Sequence, residues 1–433
     1  MPLLPAWMKT KKFRITLFVI AIMASPFLFV LEENWRGKHE YEFYKRKLEA
    51  QGEHLDFDWF LGPPLSDDKN FATAPVFKPL LDYTVDPVTR TIDYNQPGAP
   101  VLTASIQVVP ASVILSSTVE IPGGPGWDSG HSRDLKAWQD FYRAVLPKLG
   151  LSKSPPEDVL TALSQYDGFI SDLRAAADTR PVARFPIGLD PIGVDGGYYR
   201  AFRSSELLLA LRACAELKLG RTDAAFADVK LGFQIIGEMR TMPTLLGGLV
   251  RITNANVILQ PVWEGLAAHE WTDEQLTGLE TLLAGMDFLQ DYETTLRGER
   301  AYCALAWDAT RNDPKVAQAV ATGMGASTLA GGIAHTALKI MRVCTAITWQ
   351  NEVYLFRYTQ ENLVPLVDLK SRTVNVPRAK GLRDLQGGHN PYTAIARITL
   401  PVYYGITQKY AETQTRRDEA RVACEIARSR HAQ

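Results

Sequence analysis

Cysteine and histidine are scarce in this sequence, and neither occurs at a spacing typical of a metal site. The 433 residues include four cysteines and seven histidines, without a Cys-x-x-Cys, His-x-His or His-Glu-x-x-His motif. The sequence therefore does not support a zinc site, a thioredoxin-type site or a bound cofactor, and we expect none. Because Cys214 and Cys303 lie among Ala and Leu in helical segments, buried thiols are favoured over disulfides. The spacing to Cys344 and Cys424 excludes none of the possible disulfide pairings.

Charge of one sign is not in excess either. Lys and Arg total 47 against 48 Asp and Glu, which gives a formal net charge of -1. A chain without an overall positive field is not expected to bind nucleic acid. The hydrophobic fraction of 46% and the charged fraction of 22% are those of a globular protein, so disorder over the whole chain is excluded. The length suffices for one large domain or two ordinary ones.

Catalytic motifs are missing as well. The Gly-rich stretch 121–131 lacks the Lys-Ser or Lys-Thr of a phosphate-binding loop, and Pro125 removes a backbone donor. Within this stretch, Gly126–Gly130 places its serine one position too late for a Gly-x-Ser-x-Gly elbow. We therefore predict a loop without a catalytic residue. The alternative is a hydrolase-like cluster of four nearby side chains: Asp128, Ser129, His131 and Asp134.

The sequence does contain one long apolar run, residues 13–31. About 20 apolar residues at 1.5 Å each cross a hydrocarbon core of roughly 30 Å. Basic residues precede the run, and Glu32 and Glu33 follow it. This asymmetry predicts that residues 1–12 are cytoplasmic and that the remainder is extracytoplasmic, in the periplasm. A cleaved signal peptide is the alternative, but apolar residues continue past Ala24, so we favour an uncleaved single-pass signal anchor.

Two further segments bear on the membrane. Residues 32–52 are rich in charge and helix formers and end at Gly52, which predicts a juxtamembrane helix or a solvated spacer helix. Its aromatic side chains are expected at the headgroup level: Trp35, Tyr41 and Tyr44. Residues 316–338 are uncharged and rich in small residues, so a second span is conceivable. Because Leu and Ile are few there, a loop or a soluble helix is favoured.

Beyond the juxtamembrane helix, the pattern of the sequence changes once. Residues 53–132 are predicted to be irregular and β-containing, with strand-like alternation at 54–59 and a hairpin of β-branched runs at 101–120. Residues 133–433 follow the helical period and are predicted to form an α-helical domain. The fold class expected is therefore mainly α, with an N-terminal transmembrane helix and a bundle of antiparallel helical hairpins.

Local signals mark several helix boundaries in the helical domain. Ser154 with Glu157, and Thr272 with Gln275, have the spacing of capping boxes. Residues 204–239 predict a helix, a tight turn at Gly220 and a second helix. Their residue pattern is similar to that of one tetratricopeptide hairpin. Only one such unit is visible, so a hairpin is predicted and a repeat array is not. The remaining predicted features are a connection over 180–200, a bend at Pro261, a helix cap at Asp287 and a kink at Pro401.

One charged helix carries the remaining candidates for chemistry. Glu299 and Arg300 are adjacent in a helical phase, so one of them is expected to face inward and pair with a charge from a neighbouring helix. A carboxylate buried near Asp291 or Glu293 is the alternative, as a general acid. Four aromatic residues could stack on a sugar or peptide but are more often part of a core: Trp59, Phe60, Trp127 and Trp138.

Several stretches together resemble a known family. They include NWRGKHEYEFYKRKLEAQGEHLD, LRACAELKLGRTDAAFADVKLG, PVWEGLAAHEWTDEQL, FLQDYETTLRGERA and WQNEVYLFRYTQENLVPLVD. Over most of its length beyond the anchor, the chain resembles a family of uncharacterised, membrane-anchored bacterial proteins. The resemblance implies no reaction, ligand or catalytic residue. In that family the final helix precedes a Gly-x-Tyr-Pro segment and a short module, so a chain ending at Gln433 is expected to be truncated relative to it.

The sequence thus predicts where the protein works more clearly than what it does. The preferred interpretation is a helical scaffold or interaction module at the cell envelope, anchored in the membrane and presenting a groove between hairpins to a protein or peptide partner. One alternative is an envelope hydrolase whose acid and base come from positions outside any motif. Another is a sensor of a small envelope ligand. No catalytic, cofactor-binding or metal-binding residue is assigned.

Overall fold

A computed structural model describes residues 11–85, 92–95, 122–123, 126–188, 194–313, 341, 343–381, 390 and 392–431. The described chain is mainly helical, as the sequence predicts. The helices of nine or more residues are α1 (Lys11–Ala50), α2 (Leu135–Val145), α3 (Pro155–Leu163), α4 (Asp167–Thr179), α5 (Val194–Leu217), α6 (Thr222–Glu238), α7 (Leu245–Ala268), α8 (Asp273–Ala284), α9 (Phe288–Asn312), α10 (Ala346–Tyr358), α11 (Ala394–Tyr404) and α12 (Ile406–His431).

Shorter elements connect these helices. The short α-helices are Phe57–Leu61, Lys78–Leu81 and Val376–Gly381, and a π-helix spans Thr359–Leu363. The 3₁₀ turns are Phe71–Thr73, Pro75–Phe77, Trp127–Ser129, Pro147–Leu149, Ser164–Tyr166, Met239–Thr241 and Val364–Leu366. The strands form two antiparallel pairs: β1 (Tyr83–Val85) with β2 (Ile92–Tyr94), and β3 (Val367–Asp368) with β4 (Thr373–Val374). The predicted hairpin at 101–120 and the predicted loop or helix at 316–338 lie outside the described residues.

Helix α1 is the element that matches the apolar run. It continues without interruption for 40 residues and contains Pro26. In the part of the chain that the structure describes, it is the helix long and apolar enough to cross a membrane. The side chains of its apolar half, such as Phe18 and Phe29, are exposed with respect to the described part of the chain. A membrane would supply the apolar surroundings that the protein itself does not provide.

The second half of α1 is docked on the domain rather than solvated. Helix α1 packs along α10, and Gly37 lies so close to Ala346 that a Cβ there would sit 3.0 Å from its Cα. The side chain of Asn34 accepts a hydrogen bond of 2.9 Å from the backbone N–H of Ala346, which caps the start of α10. The solvated-spacer prediction is therefore wrong for this helix.

Aromatic packing completes the docking of α1. Tyr41 and Tyr44 are 9% and 3% exposed and belong to a small core with Phe356, with the ring of Tyr41 4.6 Å from that of Trp349. Their predicted position at the lipid headgroups is therefore wrong, because both rings are packed in the domain. Trp35 remains 67% exposed. Helix α1 ends at Ala50, and Gly52, two residues later, takes the left-handed conformation expected after a helix, with φ of +81°.

Helix α7 is the centre of the fold. It packs against α5, α6, α9 and α12, and most of its side chains are buried. The hairpin of α5 and α6 turns at Gly220, with φ of +67°, as the sequence predicts. Both predicted capping boxes form, at Ser154 with Glu157 and at Thr272 with Gln275. The core also includes side chains of the irregular segment, among them Phe57, Phe71 and Leu80, so this segment packs on the helices.

Some local predictions are wrong. The alternation at 54–59 predicts a strand, but Phe57–Leu61 is a short helix because Asp56 caps it and accepts a hydrogen bond from the N–H of Asp58. Helix α5 begins at Val194, inside the predicted connection 180–200. The C-terminal helical segment, predicted to be continuous, is divided at Gly405 into α11 and α12, and Pro401 lies within α11.

Candidate functional site

The four side chains of the possible hydrolase-like cluster do not converge. The carboxylate of Asp128 pairs with Arg416 at 3.3 Å, and Asp134 caps α2 by accepting a hydrogen bond of 2.9 Å from the N–H of Ala137. Ser129 Oγ lies 3.5 Å from its neighbour's carboxylate, with no contact to His131 among the described residues. Because the described contacts do not join Ser129, His131 and Asp134, the structure gives this cluster no geometric support.

The Gly-rich loop instead packs on α7. The side chain of Gln260 accepts a hydrogen bond of 2.8 Å from the N–H of Trp127 and donates one of 3.1 Å to the carbonyl of His131. One turn further along α7, Glu264 accepts from the N–H of Arg133 at 2.7 Å. The backbone amides of Trp127 and Arg133 are therefore already bonded to protein side chains. These bonds hold the described part of the loop against α7.

Charged side chains of helix α9 make contacts inside the fold at more than one position. Arg300 is buried and bonds the carboxylate of Glu53, and it also donates to Gln360 at 2.6 Å. Glu299 accepts a hydrogen bond of 2.7 Å from the N–H of Leu245 at the start of α7. The predicted inward ion pair is confirmed for Arg300. Its partner, however, lies in the turn after α1 and not in a neighbouring helix.

Asp291 on α9 is also held by arginine. Its carboxylate bonds Arg251 of α7, and it lies 3.1 Å from the Nε of Arg240. Arg251 in turn donates a hydrogen bond of 2.8 Å to the carbonyl of Ile236. Asp291 is therefore part of a buried ion-pair network with Arg240 and Arg251. Its carboxylate is occupied by these two partners, unlike that of an isolated general base. Glu293 pairs with Arg297 at 2.7 Å.

Above this network lies an open groove of about 580 Å³. One wall is apolar and irregular, formed by Leu61, Pro63 and Leu65 with Pro181 and Val182 beside them. The other wall is polar and comes from the end of α6, the following turn and one face of α9. Its lining residues are Gly237, Glu238, Arg240, Thr241, Asp291 and Thr294. A volume in this range, with mixed walls, is typical of a ligand-binding site.

The floor of the groove is closed by tight packing. Below Arg240 and Asp291, only about 10 Å³ remains among side chains that include Thr295 and Tyr410. Thr295 and Tyr410 are hydrogen-bonded to each other at 2.9 Å, and burial raises the pKa of the Tyr410 hydroxyl. Among the described residues that form this floor, there is no space for a ligand, so a ligand would lie across the surface of the groove.

Glu238 is one of the charged residues that line the groove. Burial raises the pKa of its carboxyl to about 7, and no hydrogen bond or ion pair from the described residues engages that carboxyl. No pattern in the sequence distinguishes this residue, because a single Glu at a helix end is common. Its interest comes from the walls around it, which are contributed by four segments far apart in the sequence.

The predicted aromatic residues separate in the structure. Trp138 belongs to the core, and Phe60 and Trp127 pack against it, with Trp127 stacked on Trp263 at 5.1 Å between ring centroids. Trp59 is 57% exposed and stacks on the ring of His54 at 3.9 Å, so the core prediction is wrong for it. The four cysteines are free thiols, as the sequence favours. Within the described residues, no group of three or more His, Cys, Asp or Glu side chains has the arrangement of a metal site.

The fold and the groove define a mainly helical protein with one long N-terminal apolar helix. Comparison with protein-family models, curated proteins and solved structures finds no match to this chain. Function must therefore be argued from the geometry of the groove and of α1 alone.

Proposed function

We propose that this protein is a membrane-anchored interaction module of the cell envelope, which presents the groove between α6, α9 and the irregular segment to an extended partner segment. The observation that carries this proposal is the groove itself, which is open to solvent and has one apolar wall and one polar wall. Extended segments bind in such grooves because side chains on one side bury apolar area while polar groups fix the register. The likeness of α5 and α6 to a tetratricopeptide hairpin fits the same class.

The docking of α1 supports a role at the membrane surface. The apolar run and the segment that Tyr41 and Asn34 join to α10 belong to one continuous helix, so no flexible linker separates the anchor from the domain. In this proposal the groove is therefore held near the bilayer. A partner at the membrane surface would meet it without the entropy cost of a flexible linker.

An envelope hydrolase is the second candidate, favoured by one observation. Glu238 and Asp291 both line the groove, and a carboxyl with a pKa of about 7 suits a general acid. Asp291, however, is bound by Arg240 and Arg251, so the groove offers no second free carboxylate. The interaction module therefore accounts for more of the site.

Site-specific cross-linking tests the interaction module. A benzophenone amino acid at Leu65, in the apolar wall, is expected to give a discrete cross-linked species in intact cells after irradiation. The matched position is Ser171, on the exposed face of α4 and outside the groove. Equal cross-linking from both positions, or none from Leu65, would contradict a partner in the groove. Mass spectrometry of the adduct shows whether the attached molecule is a peptide chain.

A reporter fused after Gln433 tests the proposed orientation. With the N-terminus in the cytoplasm, an enzyme that folds only outside the cytoplasm is expected to be active there, and a cytoplasm-only reporter is expected to be inactive. The control is the same pair of reporters fused after a chain that starts at residue 32 and lacks the apolar run. Activity of the cytoplasm-only reporter on the full chain would exclude the N-in arrangement.

A further inference from the structure

The start of α10 lies beside the end of the apolar run. The side chain of Asn34 donates a hydrogen bond of 3.0 Å to the carbonyl of Val343 and caps α10 through the N–H of Ala346. Asn34 is three positions past Leu31, the last residue of the apolar run, which corresponds to about 4.5 Å along the helix axis. The backbone of Val343 therefore lies close to the point on the axis of α1 at which the apolar surface ends.

Helix α10 runs parallel to α1 from that point and away from the apolar run. After the capped start, the ring of Trp349 lies 4.6 Å from that of Tyr41. Further along, the guanidinium of Arg357 lies 5.3 Å from the ring of Tyr44. Because residues later in α10 meet residues later in α1, the chain immediately before α10 lies on the side of the apolar run. Val343 belongs to that part of the chain.

Val343 has an exposed apolar side chain at this position. It is 69% exposed, the largest value among the exposed large apolar residues described outside α1. A single exposed valine is ordinary on a protein surface. The position of this one is not, because an apolar run that crosses a hydrocarbon core of roughly 30 Å places the residues just beyond it at the headgroups. Trp35 is 67% exposed at the same point of α1, where an amphipathic ring is favoured.

The charged residues at this point do not oppose an apolar contact. Glu33, two positions after the apolar run, is only 3% exposed. Its carboxylate pairs with Arg36 at 2.5 Å and accepts a hydrogen bond from the hydroxyl of Tyr392, which precedes α11. The buried charge is therefore compensated within the protein. Glu32 remains exposed, so residues 32–36 have no excess of positive charge that would attract anionic lipid specifically.

We propose that the surface formed by Trp35, Val343 and Tyr392 lies on the phospholipid bilayer, at the boundary between headgroups and acyl chains. This proposal rests on the membrane anchor of the proposed function and adds the lipid surface as a partner of the domain itself. The valine side chain buries apolar area at the boundary, and the aromatic rings suit the headgroup level. The domain thus has a second contact with the bilayer, besides its attachment through α1.

Fluorescence quenching by spin-labelled lipid tests this contact. Dansylalanine replaces Val343 in the full chain, which is reconstituted in phosphatidylcholine vesicles with or without a nitroxide on the lipid headgroup. The fluorophore is expected to lose a large part of its fluorescence in the nitroxide vesicles. Dansylalanine at Phe18 is the reference for the apolar run, and a nitroxide on the acyl chain is expected to quench it more strongly than a headgroup nitroxide does.

Leu246 is the matched control position. It is 54% exposed, and the N–H of its neighbour Leu245 bonds Glu299 of α9. The next residue of α9, Arg300, bonds Glu53 beyond the far end of α1. That end is roughly 28 Å of helix rise from the apolar run. Dansylalanine at Leu246 is therefore expected to keep its fluorescence in the nitroxide vesicles.

The outcomes separate this contact from the anchor. Quenching at Phe18 with equal fluorescence losses at Val343 and Leu246 overturns the lipid contact and leaves the anchor in place. The absence of quenching at Phe18 overturns the anchor, and the lipid contact with it. If the fluorescence at Val343 changes with the protein density in the vesicles but not with the nitroxide, a second copy covers this surface and the lipid contact is overturned.

Discussion

Replacing Arg300 with methionine is expected to lower the free energy of unfolding by about 3–5 kcal/mol, because it leaves the buried carboxylate of Glu53 without its main partner. Arg300 is 1% exposed and Glu53 is 7% exposed. Arg297 still reaches the carboxylate at 3.1 Å but is one-third exposed and cannot fill the same space. The measurement is urea unfolding of the full chain in detergent, followed by circular dichroism.

A double-mutant cycle separates the ion pair from simple loss of packing. Glu53→Gln alone should also be costly, since it leaves the buried guanidinium of Arg300 with one side chain, Gln360, as its partner. The double variant Glu53→Gln/Arg300→Met is expected to be more stable than the sum of the single losses predicts. Arg297→Met is the control for a half-exposed arginine, with an expected loss of about 1 kcal/mol or less. Strictly additive single losses would show that the pair is not coupled.

The same pair predicts a response to acid. Burial acts to raise the pKa of Glu53. The guanidinium groups of Arg300 and Arg297 outweigh that effect and hold this pKa below its ordinary value of 4.5. A carboxyl with a lowered folded-state pKa stabilises the fold above that ordinary value, and the contribution disappears as the pH falls through the folded-state value. The wild type should therefore lose stability on acidification, and Arg300→Met should lose less over the same interval.

Replacing Gly298 with alanine is the second large expected effect. A Cβ added there would overlap the carbonyl oxygen of Pro243, in the connection between α6 and α7. Because the obstacle is backbone, it cannot rotate away, and overpacking of this kind costs about 1–3 kcal/mol. Alanine normally gains up to about 1 kcal/mol over glycine inside a helix. We expect a net loss of about 1–2 kcal/mol, measured as a lower urea midpoint.

Gly168→Ala is the matched control for this substitution. Gly168 lies in α4 and has open space around the position of a Cβ. There the helix-propensity gain acts alone, so a stabilisation of about 0.5–1 kcal/mol is expected. If Gly298→Ala raised the midpoint as Gly168→Ala does, then α9 would not pack on the Pro243 backbone as closely as the structure shows.

Features that depend on residues close together in the sequence could be predicted from the sequence. The capping boxes at Ser154 and Thr272 and the turn at Gly220 form because a cap and its helix lie within a few residues of each other. The long apolar run predicts the long helix because its composition alone sets the length. Periodicity similarly identifies α2 and the core positions that face inward.

Contacts between residues far apart in the sequence could be identified only from the three-dimensional structure. Arg300 and Glu53 are separated by 247 positions, so no local pattern could pair them. The docked half of α1 reads as a solvated helix by composition, and only α10 shows why Tyr41 and Gly37 lie where they do. Four segments that are separate in the sequence form the walls of the groove. The burial of Glu238 in the folded protein raises the pKa of its carboxyl. Desolvation and packing act through space, which one-dimensional spacing does not encode.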